Sequence, residues 1–385
     1  MSLSAPFVEM WDQFRDVIDI ETSRFDTTWR SRRRVLNTKI LIAFIFELVL
    51  SKGRMGYGSI LNLLWKNVAR SGTDYLPAKP VSSSSICEAR QKLSEEIFVN
   101  IQRKVIANWE QQYDRKFLWQ EHRVFAVDSS KLNVPRDLIN EGYEVECDKA
   151  HYPIGLLSCL YRAGCSLPYA WNFSADKCER RACLDLLKHL RKGDIVILDR
   201  GYYSFCLLAE CKSRGIIPVF RLSSTHLKNQ RKGQKSNDFI VTVKPDRKVI
   251  AAVKKGELSI AIDPIDVRVV NYMINGTEIS LGTCLLDEKY LAQEIAELYW
   301  ARWGEEELYK VSKDVIEVDE FHSKSELGVK QELWAHFVIL TFARIAAIQS
   351  EIELNSDNQP SPSKKKLFSQ YVRDKQHQFE NMSPS

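Results

Sequence analysis

The sequence predicts an α/β protein, an all-helical region followed by a strand-rich core, and three observations carry that prediction. Apolar residues recur at helical spacing through 6–18, 37–51, 57–67 and 94–109. From 119 the texture changes to strand, strand, strand, helix, strand, helix, strand. Two of the apolar strand runs in this second part end on an aspartate, at Asp128 and at Asp199. With 385 residues and 44% hydrophobic content, the chain can bury a sizeable core and divide into two or three domains.

The helical region spans 1–118 and is punctuated by Gly53, Gly56, Gly72 and the segment from Pro77 to Pro80. The segment VSSSSICEARQKLS (81–94) has serines able to N-cap a short helix, whose exposed side is expected to carry Arg90, Gln91 and Lys92. A short polar and basic helix after a turn resembles the second helix of a helix-turn-helix, and is equally an ordinary part of an all-α domain. Arg30, Arg32, Arg33 and Arg34 stand ahead of the helix at 37, where they either contact phosphates or form a solvated helix start.

The core opens with HRVFAVDSS (122–130), an apolar run that ends at Asp128. IGLLSCLYR (154–162) and SLPYAWNF (166–173) follow as strands, joined through Ala163-Gly164. Residues 179–191, ERRACLDLLKHLR, read as a helix. GDIVILDRGYYS (193–204) contains a short, fully apolar strand that stops at Asp199. A helix over 203–213 ends at Gly215, and IIPVFRL (216–222) is the next strand. This order is what an RNase H-like fold requires, with Asp128 in the first strand and Asp199 at the end of the fourth. Strands of one sheet lie side by side, so the two carboxylates can converge. Taken singly, an aspartate after an apolar strand also serves as a helix cap or turn residue. Asp137, Asp148, Asp176, Glu179 and Asp194 are expected in loops or on helix surfaces, Asp194 in a turn with Gly193. His151, before the second strand, reads as structural.

A β-rich insertion is expected over 222–292. Its strand-like runs are FIVTV (239–243), VIAAV (249–253), LSIAI (258–262), VRVVNYMI (267–274) and EISLGTCLL (278–286). Turn signals at Lys255-Gly256, Asp263-Pro264 and Asn275-Gly276 separate them. The basic loop HLKNQRKGQK (226–235) is placed either as a DNA-contacting rim or as a surface loop.

A helix is predicted over 294–317. At about 100° per residue, Tyr299, Arg302, Glu306 and Lys313 fall at roughly 0°, −60°, −20° and −40°, on one narrow face. That face carries a carboxylate between two permanent cations and a phenol, while Leu298, Trp303, Leu308 and Val311 make other sides apolar. A charged stripe is ordinarily a solvated face; on a largely buried helix it points to a site. Asp128, Asp199 and Glu306 together offer three hard oxygen ligands that suit Mg²⁺, with Mn²⁺ as a substitute. Ions held there can activate the attacking oxygen and stabilise the leaving one in an in-line phosphoryl transfer.

Tyr299, Arg302, Glu306 and Lys313 form a Y-x2-R-x3-E-x6-K pattern, and DRGYYS surrounds the second aspartate. On these residues the chain resembles the insertion-sequence-four family of bacterial DDE transposases, over about 81–350. The VDSS segment matches the family's first aspartate region less tightly. The resemblance implies a cut-and-paste DNA transposase, a homodimer in a synaptic complex on double-stranded DNA with terminal inverted repeats. One strand is cut at the element end, the freed 3′-hydroxyl forms a hairpin with the opposite strand, and the reopened end attacks target DNA. Implied roles are metal ligation for Asp128, Asp199 and Glu306, phosphate contacts for Arg302 and Lys313, and orientation of the DNA end by Tyr299. The helical region then corresponds to a terminal-repeat-binding domain, 119–353 to the catalytic core, and the insertion touches the transposon end. Two rivals remain: a metal-dependent endonuclease of the same fold without strand transfer, and a domesticated copy that only binds DNA.

Composition narrows the remaining classes. Fifty-five Lys and Arg against 50 Asp and Glu give +5, a balance that does not by itself demonstrate nucleic-acid binding. The nine cysteines are odd in number, scattered and without a C-x2-C pair, so neither a disulfide framework nor a zinc site is indicated. The most apolar run, 40–50, is too short to span a bilayer and contains Glu47. With no signal-peptide pattern, a soluble cytoplasmic, nucleoid-associated protein with no membrane partner is expected. A long helix over 327–352 is expected to pack on the sheet, followed by a flexible basic tail over 354–385.

Overall fold

A computed structural model of the chain describes residues 5–29, 36–51, 55–70, 80–147, 149–274, 277–302 and 321–358. Five helices come first: α1 (Ala5–Trp29), α2 (Thr38–Leu50), α3 (Tyr57–Arg70), α4 (Ser83–Arg90) and α5 (Glu96–Tyr113). The core follows as β1 (Val124–Asn133), β2 (Ile154–Arg162), β3 (Leu167–Ser174), α6 (Glu179–Leu186), β4 (Ile195–Leu198), α7 (Phe205–Arg214) and β5 (Ile217–Leu222). Then come α8 (Lys228–Arg231), β6 (Asp238–Val243), α9 (Arg247–Lys254), β7 (Ile265–Ile274), β8 (Thr277–Thr283), α10 (Ala292–Trp300) and α11 (Glu326–Asn358). The chain divides into two compact units, 1–114 with 131–155 and 309–361, and 115–130 with 156–308 and 362–385.

Within the first unit α11 packs against α5, α2 and α1. Its packing partners within this unit are helices. Phe342 of α11 stacks on Phe14 with ring centroids 4.1 Å apart, and Gln102 Nε2 donates to Thr341 Oγ1 at 2.9 Å. Residues 326–353 are long and apolar enough to cross a membrane, yet 56% of their most apolar window is buried in the chain, the mark of a core helix. The serine cap read from sequence is present, Ser82 Oγ accepting from Ser85 N–H at 3.2 Å, and Asn37 Oδ1 caps α2 by accepting from Ile40 N–H at 2.9 Å.

Arg90 departs from expectation. It is 5% exposed rather than on the open side of α4. Its guanidinium donates to Gln331 Oε1 (3.0 Å), Glu332 Oε1 (3.0 Å), Gly328 O (3.1 Å) and the Tyr57 hydroxyl. Glu332 also accepts from the amides of His322 (2.8 Å) and Ser323 (3.1 Å). Donors in a fork must be satisfied once buried, and α11 supplies three of these four acceptors. The cluster Arg30 to Arg34 lies outside the described residues.

The second unit is built on one eight-stranded mixed sheet of order β3-β2-β1-β4-β5-β8-β7-β6. β1, β4 and β5 are parallel neighbours; β5–β8, β8–β7, β7–β6 and β2–β3 are antiparallel. One face buries Phe125, Val127, Val196 and Leu198 against Leu186 of α6 and Leu207 and Leu208 of α7. The other buries Val124, Ala126, Ile195 and Ile197 with Ile295, Leu298 and Tyr299 of α10. Gly215 ends α7 at φ +67, where an added Cβ would come within 2.8 Å of the Lys192 side chain.

Two expectations in this unit are corrected. VIAAV (249–253) lies in helix α9, because Asp246 Oδ1 caps it by accepting from Val249 N–H at 2.8 Å and Val249 and Val253 recur one turn apart. A five-residue apolar run fits either period, and the cap decides. LSIAI (258–262) forms no strand: β7 is already paired on both sides, with β6 and β8. The helix expected over 294–317 is α-helical through Trp300, and the amides of Ala301 and Arg302 bond back three residues, to Leu298 O (3.1 Å) and Tyr299 O (3.2 Å); residues 303–317 lie outside the described residues. Asn275 and Gly276 lie outside the described residues, between the paired Ile274 and Thr277.

Burial alone pushes the Glu332 carboxyl up, but the His322 hydrogen bonds and the Arg90 charge outweigh it and hold the group below its ordinary 4.5. A depressed native pKa contributes stability that is complete above the unfolded value and is lost as pH falls through the native one. Arg90→Met is expected to lower unfolding free energy by about 3–5 kcal/mol, measured in urea. In Glu332→Gln, the wild-type loss of stability below pH 4.5 should become shallower.

Candidate active site

The site begins with a strand register. β1 and β4 pair from Val124 with Ile195 to Val127 with Leu198. One residue further along each strand stand Asp128 and Asp199. Paired strands lie about 4.8 Å apart, so the ladder brings together two residues far apart in the chain. β4 and β5 pair in turn from Ile195 with Ile217 to Leu198 with Phe220, which brings Arg221 level with Asp199. Three charged residues therefore stand abreast on three neighbouring parallel strands, where the β1–β4 pairing ends.

Alternation then selects their face. Ala126, Ile197 and Val219 belong to the α10 side of the sheet, and successive side chains alternate, so Asp128, Asp199 and Arg221 share that side. There α10 presents Tyr299, 3% exposed, and the turn after it presents Arg302, 5% exposed. The Tyr299 hydroxyl donates to Asp199 Oδ1 at 3.2 Å. Arg302 Nη1 lies 3.9 Å from Asp128 Oδ2, a Coulombic contact rather than a hydrogen bond. The Arg302 guanidinium also sits 5.8 Å from the centre of the Tyr299 ring. Burial pushes the Tyr299 phenol up to about 12; Arg302 and Arg221 pull it down and Asp199 pushes it up. The phenol is a donor at neutral pH.

Of the six residues expected at the site, four converge: Asp128, Asp199, Tyr299 and Arg302. Glu306 and Lys313 lie outside the described residues. Among the described residues no three His, Cys, Asp or Glu side chains form a metal-holding group. Asp128 and Asp199 are both half-buried hard oxygen donors, the chemistry that suits a divalent ion keeping several waters.

Two features escaped the sequence reading. Arg221 was passed over because a single arginine inside an apolar run carries no spacing signal; counting the strand registers would have found it. Asp194 is not a plain turn residue. It is 4% exposed and accepts from Arg123 Nε (2.9 Å) and Nη2 (2.5 Å), a bidentate pair. Arg123 O in turn accepts from Ile195 N–H at 2.9 Å. Each partner stands immediately before its strand, so the pair holds the near end of the β1–β4 ladder as the aspartates mark its far end. One opposite charge directly before each apolar run was the available signal.

A family model described as Transposase DDE domain matches residues 119–342, more than half of the chain, and the chain belongs to that family. It is a DDE transposase, an enzyme class of DNA cleavage and transposition that generally uses divalent metal ions. No curated protein matches the chain. Among solved structures, a cryo-EM structure of the piggyBac transposase synaptic complex with hairpin DNA is similar at 10% identity, with TM-score 0.43, covering 97% of this chain and 80% of that one.

Arg123→Met leaves the Asp194 carboxylate buried without its ion pair, keeping the Arg191 amide that donates to it at 2.6 Å. It is expected to cost about 3–5 kcal/mol of stability, read as a lowered urea midpoint beside wild type.

Proposed function

We propose that this chain is a cut-and-paste DNA transposase of the insertion-sequence-four type. In this reading it binds terminal inverted repeats, cleaves the element ends and joins the 3′-hydroxyl ends to target DNA. The observation that carries this is the register that sets Asp128, Asp199 and Arg221 abreast beneath Tyr299 and Arg302. Clustered carboxylates facing cations serve phosphoryl transfer, whereas a protein that only binds DNA gains nothing from acids near phosphates. The partial order β3-β2-β1-β4-β5, with β1, β4 and β5 parallel, supports an RNase H-like core and the same reading.

Asp128 and Asp199, with Glu306, are the residues to hold Mg²⁺, or Mn²⁺ in its place. Metal bound there supplies activation of the attacking oxygen and stabilisation of the leaving one. Arg302, Arg221 and Lys313 take the phosphates beside the scissile bond as charge-assisted contacts. Tyr299, whose hydroxyl bonds Asp199, orients the DNA end against that carboxylate. The 3′-hydroxyl released by the first cut attacks the opposite strand to give a hairpin, and after reopening attacks target DNA. Residues 1–118 bind the terminal repeats and the 222–292 insertion contacts the element end, in a homodimeric synaptic complex in the bacterial cytoplasm.

The test is incubation of purified protein and Mg²⁺ with labelled DNA bearing the element's ends, beside a target plasmid. Joined product lost in Asp199→Ala supports the proposal; cleavage without joining indicates a nuclease, and binding with neither indicates a domesticated copy. Glu306→Ala is expected to abolish cleavage while sparing end binding in a gel-shift assay. Arg302→Ala and Arg221→Ala should each slow cleavage at least tenfold with unchanged circular dichroism.

A further inference from the structure

On the face of the sheet opposite the aspartates, three hydroxyls meet. Ser129 follows Asp128 and so points to the α6–α7 side. Its Oγ lies 2.6 Å from Ser158 Oγ on β2 and 3.0 Å from the Tyr202 hydroxyl. Ser158 is fully buried and Tyr202 is 2% exposed, packed within the apolar cluster beneath α6 and α7. Hydroxyls taken out of water there need partners, and these three satisfy one another.

The trio is wired to both aspartates. The Ser129 amide donates to Asp128 Oδ1 at 2.9 Å, which fixes that carboxylate's rotamer. The Tyr202 amide donates to the Asp199 carbonyl at 3.0 Å, which closes the turn that follows β4. Tyr202 thus grips Asp199 by its backbone and, through its phenol, the residue whose amide grips Asp128. Beyond Val127 and Leu198 the β1–β4 ladder has ended, and this bridge ties the two strands at the level of the carboxylates.

We propose that Tyr202 is a positioning residue: acting through Ser129, it fixes the spacing and aim of Asp128 and Asp199 as a metal-holding pair. This rests on the reading that those carboxylates hold the divalent ion. Groups that orient metal ligands are worth about 10–100-fold in metal affinity. Tyr203 provides a matched control, since its hydroxyl is buried with no hydrogen-bond partner among the described residues.

The experiment is calorimetric titration of the purified full chain with Mn²⁺, for wild type, Asp199→Ala, Tyr202→Phe, Ser129→Ala and Tyr203→Phe, beside thermal melts. We expect Tyr202→Phe and Ser129→Ala each to weaken Mn²⁺ binding at least tenfold, with Tyr203→Phe like wild type. In cleavage assays, Tyr202→Phe should need about tenfold more Mg²⁺ and recover its rate at saturation. Ser129→Ala keeps the Tyr202 ring in place and so reads the bridge even where the phenylalanine variant folds poorly. Mn²⁺ affinity in Ser129→Ala within twofold of wild type overturns the inference. Equal Mn²⁺ binding by wild type and Asp199→Ala removes instead the reading of the carboxylates, and the inference with it.

Discussion

The parallel ladder between β1 and β4 is the constraint on which the site depends, because it converts two distant aspartates into neighbours. Its eight paired residues are buried, four on each face of the sheet. A fully buried side chain of this kind contributes about 1.5–3 kcal/mol, so the register is held by many small terms. The catalytic-type residues themselves contribute little to holding it. They stand just past the last pair, where the ladder stops and half-exposure begins. Folding energy and chemistry are thus separated along the same two strands by one residue.

The two faces of the sheet divide the remaining tasks. The α10 face holds the acids, the phenol of Tyr299 and the guanidinium of Arg302. The α6–α7 face is apolar apart from a few hydroxyls, and it shapes the turn after β4. The DRGYYS segment joins them: Asp199 belongs to one face, Tyr202 to the other, and Ser204 caps α7 by accepting from Leu207 N–H at 3.2 Å. A short motif that reads as one signal in sequence performs three separate jobs in space.

Much of the core was legible because its strands are short, largely apolar and bounded by clear breaks, as at 154–162 and 195–198. The convergence of Asp128 and Asp199 was legible for the same reason, since strand order alone implies it. What escaped depended on partners distant in the chain. Arg90 looked exposed because its acceptors, Gln331 and Glu332, come from the far end of the chain. The run at 249–253 looked like a strand because five apolar residues fit both periods, and only the Asp246 cap distinguishes them. The helical partners of the long last helix went unread since nothing in its periodicity says which layer it covers.

The bidentate pair of Arg123 and Asp194 has a further meaning for the chain's tolerance of length change. It acts as an origin from which both strands are counted: Asp128 and Asp199 are each the fifth residue beyond their partner in that pair. An insertion of one residue in either strand reverses parity and turns a carboxylate into the apolar layer beneath α6 and α7. An insertion of two restores the face but carries the carboxylate about 6.6 Å further along the strand, past its opposite number. Side chains along these strands can be exchanged for others of similar volume, but the number of residues cannot change. The site is therefore specified by a count before it is specified by chemistry.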